Sequence, residues 1–193
     1  MDTDTSPGEQ PLDPWTGPVL PHTAVPRDAE FSAVIWADIE RFKPINDAHG
    51  ALMGDLIISV VADAIAQASP YPAYRLGGEE YFVVLPVGRE NEAASVARRI
   101  QDAVAAADRL PVHVADRMRA YAAQTPLPAY GRQSATYWAE WLDHALTQQR
   151  GIIDDIIRNI TINVGVATTA QTRGDSIQAV RDAARHAMDV NRR

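Results

Sequence analysis

The chain has 193 residues, 46% of them hydrophobic, which is room for one domain with a proper core. A net charge of −7 and a pI near 5.1 argue against sequence-independent binding of DNA or RNA, although a single nucleotide needs only a local cation or metal. The absence of cysteine excludes a disulfide framework and a thiolate zinc site. With no run of about 18 apolar residues and no basic, apolar, cleavable leader, a cytoplasmic protein without membrane association is expected.

The first thirty residues hold Pro7, Pro11, Pro14, Pro18, Pro21 and Pro26. Residues 1–12 are expected to be a disordered tail, and the rest of this stretch to run extended, because proline disfavours a long helix. An apolar run, Phe31 to Ala37, predicts a buried strand that ends at Asp38. A loop or short helix follows over 41–54, then a helix from about 55 to 67, with Leu56, Val60 and Ile65 near one face. Residues 73–86 read as a hairpin: two β-type runs flank Gly77-Gly78-Glu79-Glu80, and glycine pairs favour tight turns. The turn is expected to hold both glutamates at its tip. Asp38 at the end of a central strand is well placed to meet these acids, so Asp38 and Glu79 make a candidate pair for one divalent ion.

A helix over 91–108 carries Ala93, Val96, Ala97, Ile100 and Val104 inward. Residues 110–158 are rich in aromatics: Tyr121, Tyr130, Tyr137, Trp138 and Trp141. Ala135 to Arg150 reads as a helix that Gly151 ends, and Ile152, Ile153, Ile156 and Ile157 form a second helical stripe. These helices either pack back on the domain or offer a dimer or partner surface, since aromatics are favoured interface anchors. A strand over 159–167 and a helix over about 175–191 complete a βαββαβ order, the ferredoxin-like arrangement.

The ordered text Asp38-Ile39-Glu40-Arg41-Phe42-Lys43-Pro44-Ile45-Asn46-Asp47, Gly50-Ala51-Leu52-Met53-Gly54-Asp55 and Arg75-Leu76-Gly77-Gly78-Glu79-Glu80-Tyr81 resembles the GGDEF domain family, the diguanylate cyclases. Asp13-Pro14-Trp15-Thr16-Gly17 looks like the family's opening turn, and Ile160 to Ala167 like its late strand. The resemblance covers most of residues 13–109 and 159–193. It implies an α/β fold with a ferredoxin-like palm of the nucleotidyl cyclase type, a mainly antiparallel sheet with packed helices. The domain would span 13–193, with 110–158 as a helical insertion that is a possible protein-partner surface.

The activity implied is magnesium-dependent condensation of two GTP into cyclic di-GMP and pyrophosphate at a homodimer interface, with manganese as a possible substitute. By the same resemblance, Asp38, Glu79 and the Ile39 carbonyl hold the metal, and Glu79 sits where the family's proposed proton acceptor lies. Glu80 either activates metal or hydroxyl or maintains local charge. Lys43 steadies the phosphates, which the Phe42 and Lys43 amides and the Gly77-Gly78 gap approach. Asn46 and Asp55 align with the guanine-reading pair; an amide and a carboxylate can read O6 together with N1–H and N2–H₂. Asp55 has a second reading, as the N-cap of the helix that follows.

This sequence departs from the pattern in several places. Ala51 stands where the family has histidine, Glu40 where it has a second aspartate, and Tyr81 where it has phenylalanine. Asp189 falls on a phosphate-binding lysine, and Arg193 on the arginine after it, placed to meet a phosphate. The Arg-x-x-Asp feedback motif is absent, its positions being Ala68 and Tyr71. The alternative reading is a catalytically degenerate domain that binds GTP or a protein partner in signalling.

Overall fold

The computed structural model describes residues 17–25, 30–122, 135–172 and 176–191. Five strands share one sheet: β1 (Leu20–Pro21), β2 (Phe31–Ile39), β3 (Ala73–Gly77), β4 (Glu80–Pro86) and β5 (Ile162–Thr168). Their spatial order is β1-β3-β4-β2-β5, antiparallel throughout except for the short β1–β3 contact. Helices α1 (Phe42–His49) and α2 (Ala51–Ala68) join β2 to β3, and α3 (Ala93–Ala105) follows β4. Then come α4 (Val112–Ala122), α5 (Ala135–Gln148) and α6 (Arg150–Arg158) before β5, and α7 (Thr169–Thr172) and α8 (Ile177–Asn191) after it. This is the expected βαββαβ order on a mainly antiparallel sheet.

Strand β2 lies between β4 and β5 and is covered on both faces, which is why its sequence is a continuous apolar run instead of an alternation. Ala33, Ile35, Ala37 and Ile39 join a large core with α2 and α3. Val34 and Trp36 join a smaller one with Phe82, Tyr74 and the α8 residues Val180, Ala184 and Met188. In that smaller core the Phe82 ring stacks on Tyr74 at 5.2 Å and on Trp36 at 6.3 Å between centroids.

Helix α2 differs from its amphipathic expectation. It starts at Ala51, and Leu52 to Asp63 are buried without a break. It has the length and mean hydropathy (18 residues, 1.6) of a membrane-crossing helix, but 72% of it is buried inside the protein. Its outer face is covered by residues remote in sequence: Val114, Ala115 and Met118 of α4, Leu142 and Ala145 of α5, and Ile153 and Ile157 of α6 belong to the same core. The described helices of the 110–158 stretch therefore pack back on the domain. Its described residues hold three helices, not two; the break between the last two falls at Gln149, and Gly151 lies inside α6.

A buried polar cluster fastens α4 to α2. Asp63, 6% exposed, accepts from Arg117 Nη1 at 3.3 Å and Gln67 Nε2 at 2.6 Å, with His113 Nε2 at 2.7 Å. Arg117 also donates to the Ser59 hydroxyl at 3.2 Å. Removing one member of such a cluster strands the other's charge. Asp63→Ala is expected to lose about 3 kcal/mol of unfolding free energy in urea titration; a loss below about 0.5 kcal/mol would mean the cluster is solvated.

The tail at 1–12, most of the 13–17 turn, Tyr130 and Arg193 lie outside the described residues, as do the side chains of Tyr121 and Trp138.

Candidate active site

The site forms where β2 ends and the hairpin turns back. Register places Asp38 opposite Glu80 on β4 and opposite Asn163 on β5. The two-residue hairpin loop is Gly78-Glu79, closed by the Gly77–Glu80 pair, so Glu79 alone sits at the tip and Glu80 belongs to the strand. Gly78 takes the left-handed φ of +53° that such a loop requires at its first position. The tip is tied down twice: the Ile39 amide donates to the Glu79 carbonyl at 3.3 Å, and Arg75 Nε donates to the Gly78 carbonyl at 2.9 Å.

At the other side, Arg41 holds a left-handed conformation, φ 56° and ψ 31°, at a cost of about 1–2 kcal/mol for a residue with a Cβ. That turn reverses the chain so that α1 begins at Phe42 against the strand end. The result is an open cavity of about 440 Å³ lined by Asp38, Ile39, Glu40, Arg41, Phe42, Lys43, Pro44, Glu79 and Asn163. Asp38, Ile39, Glu79, Phe42 and Lys43 thus face one space. Lys43 is exposed, with its ammonium 2.6 Å from Asp47 one helical turn on; such a pair is worth well under about 1 kcal/mol and is easily exchanged for a phosphate. The Glu40 carboxylate is engaged elsewhere, accepting from the Thr161 hydroxyl at 2.6 Å.

Asn46 and Asp55 flank Gly54. A Cβ on Gly54 would lie 1.9 Å from Asn46 Oδ1, so glycine is what lets the Asn46 amide reach α2. Asn46 Oδ1 is buried with no hydrogen-bond partner among the described residues. Asp55 is 5% exposed and is the fifth residue of α2, which corrects its N-cap reading: the helix extends one turn further back, to the Gly50 cap. Gly77 and Gly78 are exposed beside the tip. Glu80 does not line the cavity; its carboxylate lies 3.3 Å from Arg185 on α8. At the position of the missing feedback motif, the Tyr71 hydroxyl donates to Glu92 at 2.5 Å. That bond, followed by the one from Arg89, holds the Glu92 carboxyl below the usual carboxylate range.

Two members of this neighbourhood were not singled out from sequence. Asn163 had a legible signal, a polar residue between Ile162 and Val164 on a strand. Arg185 had none, because its partner is more than a hundred residues away.

The family model described as "Diguanylate cyclase, GGDEF domain" matches residues 22–152, more than half of the chain. The chain belongs to the GGDEF domain family. Among curated proteins, this GGDEF domain is 39% identical over 74 residues to the uncharacterized protein YhcK of Bacillus subtilis, covering 37% of this chain and 21% of that one. It is 37% identical over 65 residues to the diguanylate cyclase DgcZ of Escherichia coli, covering 33% and 22%. It therefore spans about a fifth of the length of these relatives. Among solved structures, the GGDEF domain superposes on SiaD of Pseudomonas aeruginosa, solved with its activator SiaC, with a TM-score of 0.53, 20% identity and coverage of 84% and 47%. It superposes on the active GGEEF domain of a Vibrio cholerae diguanylate cyclase with a TM-score of 0.50, 19% identity and coverage of 84% and 78%. These structural likenesses carry the fold.

Proposed function

We propose that this GGDEF domain is a diguanylate cyclase that binds one GTP per subunit and joins two into cyclic di-GMP across a homodimer. The observation that carries the reading is the convergence of Asp38, Ile39 and Glu79 on one cavity with the start of α1. Curated relatives named diguanylate cyclases support it.

Among the described residues there is no cluster of three or more acidic, histidine or cysteine side chains able to hold a metal. Two carboxylates and a backbone carbonyl do fit magnesium, which keeps waters and takes its remaining ligands from phosphates. Bound there, a divalent ion would neutralise triphosphate charge and acidify the attacking hydroxyl. Asp38 and Glu79 would hold it, and Glu79 would accept the proton of that 3′-hydroxyl. The 3′-oxygen would then bond to the α-phosphorus of the facing GTP as its bond to pyrophosphate breaks, and the reciprocal transfer from the facing subunit would close the ring and release the second pyrophosphate. Lys43, released from Asp47, would offset charge on the phosphates, with the Phe42 and Lys43 amides beside it. Asn46 and Asp55 would read guanine; a buried Asn46 oxygen with no partner among the described residues suits a polar ligand. The reaction would take place in the cytoplasm, where GTP is found.

A second reading, a GTP-binding signalling module without turnover, is favoured by Ala51 in the histidine position and by Asp189 in place of the helix lysine. Incubation with GTP and magnesium at a concentration where a dimer is verified, followed by liquid chromatography, separates the two. Cyclic di-GMP as product is expected. Saturable GTP binding without product would establish the module instead.

A further inference from the structure

We propose that Arg185 is a positioning residue for the active site: it holds the Glu80 carboxylate toward α8 and away from the cavity, so that Glu79 and Asp38 alone are presented to a divalent cation. The inference rests on the metal-dependent reading above and concerns how this chain sorts three acids crowded at one strand end.

Asp38 and Glu80 are directly opposite in the β2–β4 ladder, so both side chains leave the sheet on the same face, an arrangement that is unfavourable for like charges. Glu79 follows immediately in the loop. Like charges this near along the strand end repel, and a Glu80 carboxylate freed from Arg185 would be able to swing toward the cavity and compete for a cation there. Arg185 stands beside one of them, with Nη2 3.3 Å from Glu80 Oε1. Its guanidinium also lies 5.6 Å from the centre of the Trp36 ring, two residues before Asp38 on the same face. A planar cation held between an indole and a carboxylate has a defined direction, which a lysine ammonium would lack. Trp36 is itself fixed by its stack on Phe82. The outcome is visible in the lining of the cavity: Asp38 and Glu79 belong to it and Glu80 does not.

Arg185→Ala should therefore have two effects of opposite benefit. Loss of a cation and release of Glu80 should tighten the nucleotide-free protein's hold on Mn²⁺ by about three- to tenfold, read from the free-ion signal in electron paramagnetic resonance. At the same time, product formation from GTP should fall several-fold, because the ion is then shared with the wrong acid. The double variant Arg185→Ala/Glu80→Gln should bring both values back toward wild type. Circular dichroism melting of each variant shows whether the fold is intact. A purely structural role would weaken ion binding and activity together with the melting temperature, without rescue by Glu80→Gln, and would overturn the proposal. Unchanged Mn²⁺ affinity in Arg185→Ala would overturn it as well. Wild-type protein that binds neither Mn²⁺ nor GTP would instead sink the metal-dependent reading, and the proposal with it.

Discussion

Replacing Glu79 with glutamine should reduce cyclic di-GMP formation by about a thousandfold, the consequence of losing some 4 kcal/mol of transition-state stabilisation. The fold should be untouched. The structural work of this residue is done by its backbone, whose carbonyl accepts from the Ile39 amide, and glutamine keeps that bond. The side chain lies at a loop tip tied down through Gly78 and Arg75. Stopped-assay chromatography with a thermal melt alongside measures both halves of the expectation. Turnover within tenfold of wild type would remove Glu79 from the chemistry; a large fall in melting temperature would show that the acid is structural.

The second large effect is expected at Gly165, which lies on β5 opposite Trp36 and does not line the cavity. A Cβ there would lie 2.0 Å from the Ala184 carbonyl oxygen and 2.5 Å from the Met188 amide nitrogen. Both are α8 backbone atoms, so no side chain can rotate aside, and the helix must lift from β5. The backbone of Gly165 is not left-handed, which isolates the steric cost from any conformational one. Gly165→Ala should lose about 3 kcal/mol, occasionally more, which lowers the melting temperature of a domain this size by roughly 10 °C. A shift below about 2 °C would mean that α8 does not pack this closely against the strand.

Much of this was readable from sequence because the informative residues are contiguous. Strand β2 and the hairpin each announce themselves within a dozen residues, and Asp38 and Glu79 fall at their ends. Where the reading failed, the missing information was spatial. Asp55 looks like a helix cap because Gly54 precedes it; in three dimensions that glycine is the gap through which Asn46 reaches α2. The paired glycines suggest a turn carrying both glutamates, yet the left-handed residue is Gly78, which shifts the loop by one position and returns Glu80 to the strand. Helix α2 reads as one-sided because α4 to α6, which cover its other side, follow more than forty residues later. Helix α4, with His113 and Arg117 among its apolar residues, has a pattern that makes sense only once buried Asp63 is seen beneath it.

The sheet divides the interior unequally, with the larger core under α2 and α3 and the smaller one under α8. Local opening follows the thinner layer first. Helix α8 would then exchange its amide hydrogens before α2 does, in a hierarchy fixed by burial alone. The base-reading candidates Asn46 and Asp55 ride on or against the slow layer, whereas Arg185 rides on the fast one. On the proposed reading, nucleotide recognition and alignment of the hairpin acids would then fall in different layers, and a partner or modification that pries at α8 would loosen the second while leaving the first in place.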